Sequence, residues 1–570
     1  MHETADAEEV ARAARGTRSL RGPLALAGTL ALGCGAVVEQ SPDFADDAGT
    51  GGTHGVEDPA GETTAAGPDG ATSETTDAGD GTSTDGVDPT LLDVGGRGRG
   101  RSQCTLSDDS LSGRAACDTD APPGSFDVAL QWAWEGEAGA RESVVTPLVI
   151  NLTDDDDSGT IDLCDTPDII AVAYDAPRGQ QASYDGQLTV LDGATGAVHF
   201  VGDQTVNALV TPATGDIDGD GLPEIVTMIL HPDEYGRLVA FDHQGATQWV
   251  STFGVSGRQG GVALADLDAD GDVEILLQRH VFNHEGALLW SANTEQQGIP
   301  VPVAVDLDDD GDLEVLHGAT AWHHDGTEYF AHPEINATST PQVADVDSDG
   351  LPEVVVVSVD GLAIVEHDGT LTIAQALPGV AGVQPMAIHD IDGIDGVPEL
   401  LVGAGDAYSA VTVGLSVQWT APVSDATGYA ASTAFDFLGD GTAEAIHADQ
   451  DTLRVFDALG QTLLSAPRAS WTANEGPVVA DVDNDGSAEI VVVSNQGYDD
   501  AVQPPIQVFR DADDRWVPAR RIWNQHGYHV TNVREDGTIP QVQPKHWETL
   551  NTFRTQSQIL PSGEVCRPEG

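Results

Sequence analysis

The sequence is short of positive charge. Its 23 Lys and Arg residues stand against 94 Asp and Glu, a formal net charge of −71, and Lys545 is the one lysine in 570 residues. That balance argues against nucleic acid and anionic membrane surfaces as partners, because both would repel the chain. Aromatic residues make up only 5% of the sequence. No run reaches the roughly 18 apolar residues of a membrane-spanning helix. No window keeps a 3.6-residue apolar period, which excludes a helical solenoid. Cysteine occurs at five positions. None has CxxC or Cys/His spacing, so neither a zinc site nor a redox dithiol is encoded.

What the sequence does contain begins with an export pattern. Arg12, Arg15, Arg18 and Arg21 precede a short apolar run, Leu24 to Leu32, that ends in Gly33-Cys34. Residues 1–34 resemble a bacterial lipoprotein signal, which implies lipidation of Cys34. The order Ala31-Leu32 and the acidic residues 2–9 depart from the usual form. Residues 35–103 are Gly, Thr, Ser, Asp and Ala with almost no aromatics, a composition expected to form a disordered acidic linker. A Cys-containing lead-in, residues 104–125, follows. With Cys34 set aside, Cys104, Cys117, Cys164 and Cys566 form an even set suited to an oxidising compartment. Three pairings are open. The local one, Cys104 with Cys117, leaves Cys164 with Cys566.

From Phe126 the composition changes to short runs of Val, Ile, Leu and Trp, and one phrase keeps returning. Asp216-Ile217-Asp218-Gly219-Asp220-Gly221-Leu222-Pro223-Glu224 recurs from Asp266, Asp306, Asp345 and Asp481, with looser copies at Asp390 and Asp436. Acids at alternate positions, then Gly, then another acid form a calcium-loop pattern: alternate side chains converge on one ion and the Gly allows the turn. An expanded loop near Asp154 carries its own version, Asp154, Asp156, Ser158, Gly159 and Asp162. The first-position aspartates are spaced 39 to 50 residues apart. Each unit reads as four short strands, as in Val262–Ala265, Val273–Gln278, Val281–His284 and Ala287–Trp290. Four-stranded units of roughly 40–45 residues are the signature of a β-propeller blade. The fold expected over 126–511 is therefore an all-β propeller of four-stranded antiparallel blades. Eight blades are expected, with Leu130–Trp134 completing the last. A seven-bladed ring with the first unit packed outside it is the alternative. His243, His284, His324 and His367 recur at equivalent turns and read as turn residues.

These repeats resemble the FG-GAP and VCBS repeats of integrin-alpha-type propellers and of many bacterial surface proteins. The resemblance implies calcium held by side chains at positions one, three, five and nine and by the carbonyl at seven. In the first strict copy these are Asp216, Asp218, Asp220 and Glu224, with the Leu222 carbonyl. The other strict copies supply Asp266, Asp268, Asp270 and Glu274; Asp306, Asp308, Asp310 and Glu314; Asp345, Asp347, Asp349 and Glu353; and Asp481, Asp483, Asp485 and Glu489. Glu at position nine either ligates or faces the strand. Two copies are weaker: Asp436 and Asp440 flank Leu438 at position three, and the loop of Asp390, Asp392 and Asp395 has one extra residue. Four to six well-formed calcium sites are expected, in a structural role.

Residues 512–570 break the repeat and gather aromatic and His residues. Trp523, His526 and Tyr528 are candidates for a ligand site, the alternative being a tail packed across the ring to seal it. The functional expectation is a monomeric, calcium-stabilised surface protein that binds a protein or glycan for adhesion or scaffolding, exported and anchored only through its N-terminal lipid. The alternative is a carbohydrate-active enzyme, a lyase or hydrolase, on a propeller scaffold. Short loops and the absence of a non-repeating acid/base set weigh against catalysis. One segment, LTVLDGATGAVHF, resembles a quinone-dependent dehydrogenase repeat, but the other units do not follow it.

Overall fold

The computed structural model describes residues 111–568, apart from 138–139, 176–184, 232–235, 258, 294–300, 336–339, 359–360, 376–386, 395, 426–428, 474 and 497–501. The signal and linker expectations, Cys34, Cys104 and Asp395 lie outside the described residues.

Each unit folds as its alternation dictates, and the units form an eight-bladed β-propeller of four-stranded antiparallel sheets. Two blades carry a further two-residue strand. The innermost strands are short: Leu148–Ile150, Ala213–Gly215, Gly260–Ala265, Val303–Val305, Gln342–Ala344, Ala387–His389, Ser432–Phe435 and Val478–Ala480. Small and β-branched residues dominate them, which lets eight strands converge on one axis. Second strands such as Glu274–Leu277 and Glu489–Val493 are buried along their whole length. Outermost strands such as Thr247–Val250 and Leu288–Ser291 alternate between half-buried and exposed residues. Blade 8 is completed from the other end of the chain, since Val128–Trp134 pairs antiparallel with Ile506–Asp511. The eight-blade reading with closure by this segment is the one observed.

A second recurrence locks neighbouring blades together. An outer-strand aromatic of one blade covers the turn glycine of the next, as Phe200 does over Gly245, Trp249 over Gly286, Trp290 over Gly326 and Trp419 over Gly460. The glycines have positive φ, 77° at Gly286, and a Cβ there would lie 2.5 Å from the Trp249 ring. Trp132 covers Gly196 in the same way, so blade 8 locks onto blade 1.

The C-terminal extension crosses the ring in blade order, twice. In the first pass the Arg520 carbonyl accepts from Asp481 N of blade 8, Trp523 pairs with Val149 of blade 1, the Asn524 carbonyl accepts from Thr214 N of blade 2, and Gln525 Oε1 accepts from Leu264 N of blade 3. In the second, Thr538 pairs with Asp216, Gln541 donates to the Ala269 carbonyl, Lys545 meets Asp306 and Asp309, and His546 donates to the Val343 carbonyl. Phe553 then pairs with Ile388, the Arg554 carbonyl accepts from Thr433 Oγ1, and Gln556 donates to the Val479 carbonyl. Every blade is held at or beside its innermost strand.

The disulfide pairing differs from the local option. Cys117 is bonded to Cys566, 449 residues away, where Ala115–Ala116 and Cys566–Arg567 run as a parallel strand pair. Neither Cys104–Cys117 nor Cys164–Cys566 can then form. Cys164 is also disulfide-bonded, with its partner outside the described residues. The physical reason is the extension: its two passes return the C-terminus to the lead-in, which sequence spacing does not reveal.

Candidate metal centres

Blade 2 shows how one loop is built. Asp216 follows the innermost strand and Glu224 opens the second, so the two ends of the loop are fixed by the sheet. Asp216 Oδ1 accepts from Gly219 N at 2.8 Å and Oδ2 from Gly221 N at 3.0 Å. Asp220 Oδ1 accepts from Leu222 N at 2.9 Å. Glu224 Oε2 accepts from Ile217 N at 3.1 Å. Carboxylate oxygens of Asp216, Asp218 and Glu224 come within 4.8 Å of one another. Gly221 has φ 86° and Gly219 φ 74°, the left-handed backbone that folds the loop back on itself.

The pattern repeats closely. The position-nine Glu accepts from the position-two amide in seven blades: Glu224 from Ile217, Glu274 from Leu267, Glu314 from Leu307, Glu353 from Val346, Glu399 from Ile391, Glu444 from Phe437 and Glu489 from Val482. One oxygen of each Glu therefore closes the loop. In blades 5 and 8 the other oxygen, Oε1 of Glu353 and of Glu489, is buried with no hydrogen-bond partner, as is Asp481 Oδ1. Burial pushes Glu224 up to about 8 and Glu274 to about 7, and the neighbouring aspartates push the same way. Burial, with neighbouring carboxylates, holds Asp481 and Glu489 well above the usual carboxylate range. Buried, mutually repelling oxygens aimed at one point fit a hard divalent cation that takes oxygen ligands.

Three loops differ from the expected ligand sets. In blade 1, Asp154 behaves as a first-position residue, its oxygens accepting from Ser158 N and Gly159 N at 2.8 Å. The acid that joins Asp154 and Asp156 is Asp165, which sequence reading missed. It is the twelfth residue counted from Asp154, where a longer calcium loop places its closing acid. Asp162 caps the turn into Cys164 instead, accepting from its N–H at 2.9 Å. Ser158 Oγ is engaged within the loop, with the Thr160 carbonyl at 2.9 Å. Asp168 occupies the place of Glu224, accepting from Leu152 N at 2.9 Å and meeting His199 Nδ1 at 2.8 Å. His199 there parallels Gln248, which donates to Glu224 Oε1 at 3.0 Å in blade 2. A second group, Asp155, Asp192 and His199, lies beside it.

In blade 4, Asp308, Glu314 and His323 come together, and the Lys545 ammonium lies 3.4 Å from Asp306 Oδ2. Blades 6 and 7 hold the weaker copies. Both oxygens of Asp436 are held by amides, Oδ1 by those of Leu438, Gly439 and Asp440 and Oδ2 by that of Gly441. The lead-in lies over this loop: Ala121 N donates to the Leu438 carbonyl at 2.7 Å, and a Cβ on Gly439 would lie 2.5 Å from the Thr119 carbonyl. In blade 6 the Gln418 amide donates to Asp392 and Glu399. Between these two loops and the extension lies a cavity of about 520 Å³, with Asp390, Asp436, Asn551, Gln558 and Arg567 in its wall.

Trp523, His526 and Tyr528 do not form a surface site. All three are fully buried; Trp523 stacks on Tyr528 at 4.5 Å, and the Tyr528 hydroxyl bonds Arg520 and Gln556. They are the core of the seal.

Residues 216–277 match the FG-GAP-like repeat family. The chain is thus an eight-bladed β-propeller with an FG-GAP-like repeat over residues 216–277. Among solved structures it is similar to the V. cholerae biofilm matrix protein Bap1, with a TM-score of 0.66, 21% identity, and coverage of 76% of this chain and 100% of that one. It is also similar to the Bacillus licheniformis rhamnogalacturonan lyase PL11, with a TM-score of 0.47, 16% identity, and coverage of 77% and 82%. The likeness to Bap1 shows the fold alone. Among curated proteins none matches the chain in sequence.

Proposed function

We propose that this chain is a calcium-stabilised, extracellular β-propeller that serves as a surface binding or scaffold protein. The observation that carries the reading is the contrast within the ring. Strict loops bring carboxylates within reach of one another, each set with a buried Glu, which suits structural ions, while the two weaker loops flank the cavity beside Arg567. A protein or glycan ligand is assigned to that cavity, whose wall mixes amides, carboxylates and a guanidinium with the apolar faces of Phe435 and Leu550. The Cys117–Cys566 disulfide supports export, and Cys34 is the proposed lipid anchor at the cell surface. A biofilm matrix protein shares this fold, which is compatible with the scaffold reading.

The test is a titration of extracellular polysaccharides and matrix proteins against the calcium-loaded chain by calorimetry, with absorbance monitored for new unsaturated sugar. Saturable binding that weakens at least tenfold in Arg567→Ala and Asn551→Ala supports the reading. Formation of unsaturated product would replace it with a lyase. Unchanged binding in both variants would remove the ligand from this cavity.

A further inference from the structure

The buried arginines of this acidic chain are not equivalent. Arg468 pairs with Glu475 at 3.0 Å and Arg521 with Glu535 at 2.9 Å, all four side chains being buried. Arg520 donates to the Tyr528 hydroxyl and to the carbonyls of Val530 and Val533. Arg554 is as deeply buried, with 0% exposure, yet only its Nε has a partner, the His526 carbonyl at 2.9 Å. All the N–H donors on Nη1 and Nη2 are buried without a protein acceptor. Nor does any carboxylate among the described residues pair with this guanidinium. A buried guanidinium stays charged and needs acceptors, since arginine does not lose its proton in proteins.

Its position is fixed from several sides. The Arg554 amide donates to the Tyr528 carbonyl at 3.0 Å, and its own carbonyl accepts from Thr433 Oγ1 at 2.8 Å. The backbone there has φ 54°, a left-handed conformation uncommon for a side-chain-bearing residue. Gly476, just before the innermost strand of blade 8, stands so close that a Cβ would lie 2.7 Å from Arg554 Nη2. Thr146, just before the innermost strand of blade 1, bonds His526 Nδ1 at 3.0 Å, and His526 Nε2 is a further buried atom without a partner. On another side, a Cβ on Gly261 of blade 3 would lie 3.4 Å from His526 Cβ. Arg554 and His526 thus sit where the innermost strands of blades 7, 8, 1 and 3 begin, beneath the double pass of the extension.

We propose that Arg554 holds a small monovalent anion, chloride in ordinary media, inside the sealed axis of the ring. The anion accepts from Nη1 and Nη2 and neutralises a buried guanidinium whose terminal nitrogens have no partner among the described residues. An ion of halide size, rather than a larger organic anion, is assigned to the site. The site is independent of the carboxylate loops and of the cavity between blades 6 and 7.

The test uses the full chain with calcium held at saturation. Melting is followed in sodium chloride, sodium bromide and sodium methanesulfonate at equal ionic strength, and crystals grown in bromide are examined by anomalous diffraction. The expected result is a melting temperature several degrees higher in either halide, rising with halide concentration as mass action requires, and a bromide peak beside Nη1 and Nη2. Arg554→Met should melt at one temperature in all three salts. Identical wild-type melts in halide and methanesulfonate with no bromide peak would overturn the proposal and leave water as the acceptor. Halide dependence that persists in Arg554→Met would also overturn it. The bromide experiment needs no variant, so the question stays decidable if Arg554→Met fails to fold.

Discussion

Blade 8 and blade 7 carry the same loop and use it differently. In blade 8, Asp481 and Glu489 each bury an oxygen without a partner, and the charges of Asp483 and Asp485 act on both. In blade 7, Asp436 hydrogen-bonds four backbone amides and Leu438 stands where an acid is expected. Both loops keep the same frame, including the amide bond to Glu489 or Glu444. The frame is therefore a backbone device that survives without a full set of ligands. With the position-three acid replaced by Leu438, the loop serves as a docking platform for the lead-in.

The strongest way to break this comparison is to remove the ions. If the strict loops hold calcium, each contributes about 1.4 kcal/mol at ten times its Kd. Five such loops sum to about 7 kcal/mol, comparable with the roughly 5–15 kcal/mol that separates a folded domain from its unfolded state. Calorimetry in excess chelator should show a large fall in melting temperature. A melt that does not move would remove the ions from every loop at once.

Next in size is the staple. Cys117→Ser opens a loop of 449 residues, and loss of such a disulfide costs about 2–5 kcal/mol. The lead-in then leaves the blade 7 loop more readily, so Thr119 to Ala121 should gain hydrogen exchange before any strand of blade 8 does. Equal protection in the variant would show that the lead-in is held by its own contacts rather than by the bond.

Much of this contrast was legible in the chain itself. Acids at fixed spacing located every loop, and the Trp-bearing segment 128–134 located the closing strand. Both are local patterns repeated often enough to be read in register. The disulfide partner of Cys117, the order in which Trp523, Asn524 and Gln525 meet blades 1, 2 and 3, and the place of Asp165 were not legible. Each depends on where the extension or an insertion goes after the repeat ends, and no periodicity constrains that. Trp249 and Gly286 were both visible as recurring residues. Their contact crosses from one blade to the next, and a unit read by itself cannot show it.

A pair of single substitutions sharpens the comparison at about 1–2 kcal/mol each, the scale of one ion or one buried hydrogen-bonded group. Glu489→Gln should remove one calcium equivalent in calorimetry and destabilise the protein in calcium but little in chelator. Asp436→Asn should leave the stoichiometry unchanged and destabilise it equally in both, because this loop lacks the acid at position three and lies under the lead-in. A lost equivalent in Asp436→Asn would make the two loops functionally alike.

The smallest effect is the most discriminating. Leu438→Asp restores the missing acid at position three of blade 7. If the missing ligand were the whole difference, this variant would gain a calcium equivalent and a higher melting temperature. The geometry says otherwise: the Leu438 carbonyl is held by Ala121 N at 2.7 Å, the Thr119 carbonyl crowds Gly439, and Asp436 is turned onto four amides. The expected result is therefore no added calcium and a loss of about 1 kcal/mol or less, close to the scale of an ordinary surface substitution. Combining Leu438→Asp with Cys117→Ser frees the lead-in, and only then should the extra equivalent appear. Appearance of the ion in the single variant would mean that the lead-in merely rests on the loop and does not exclude the ion.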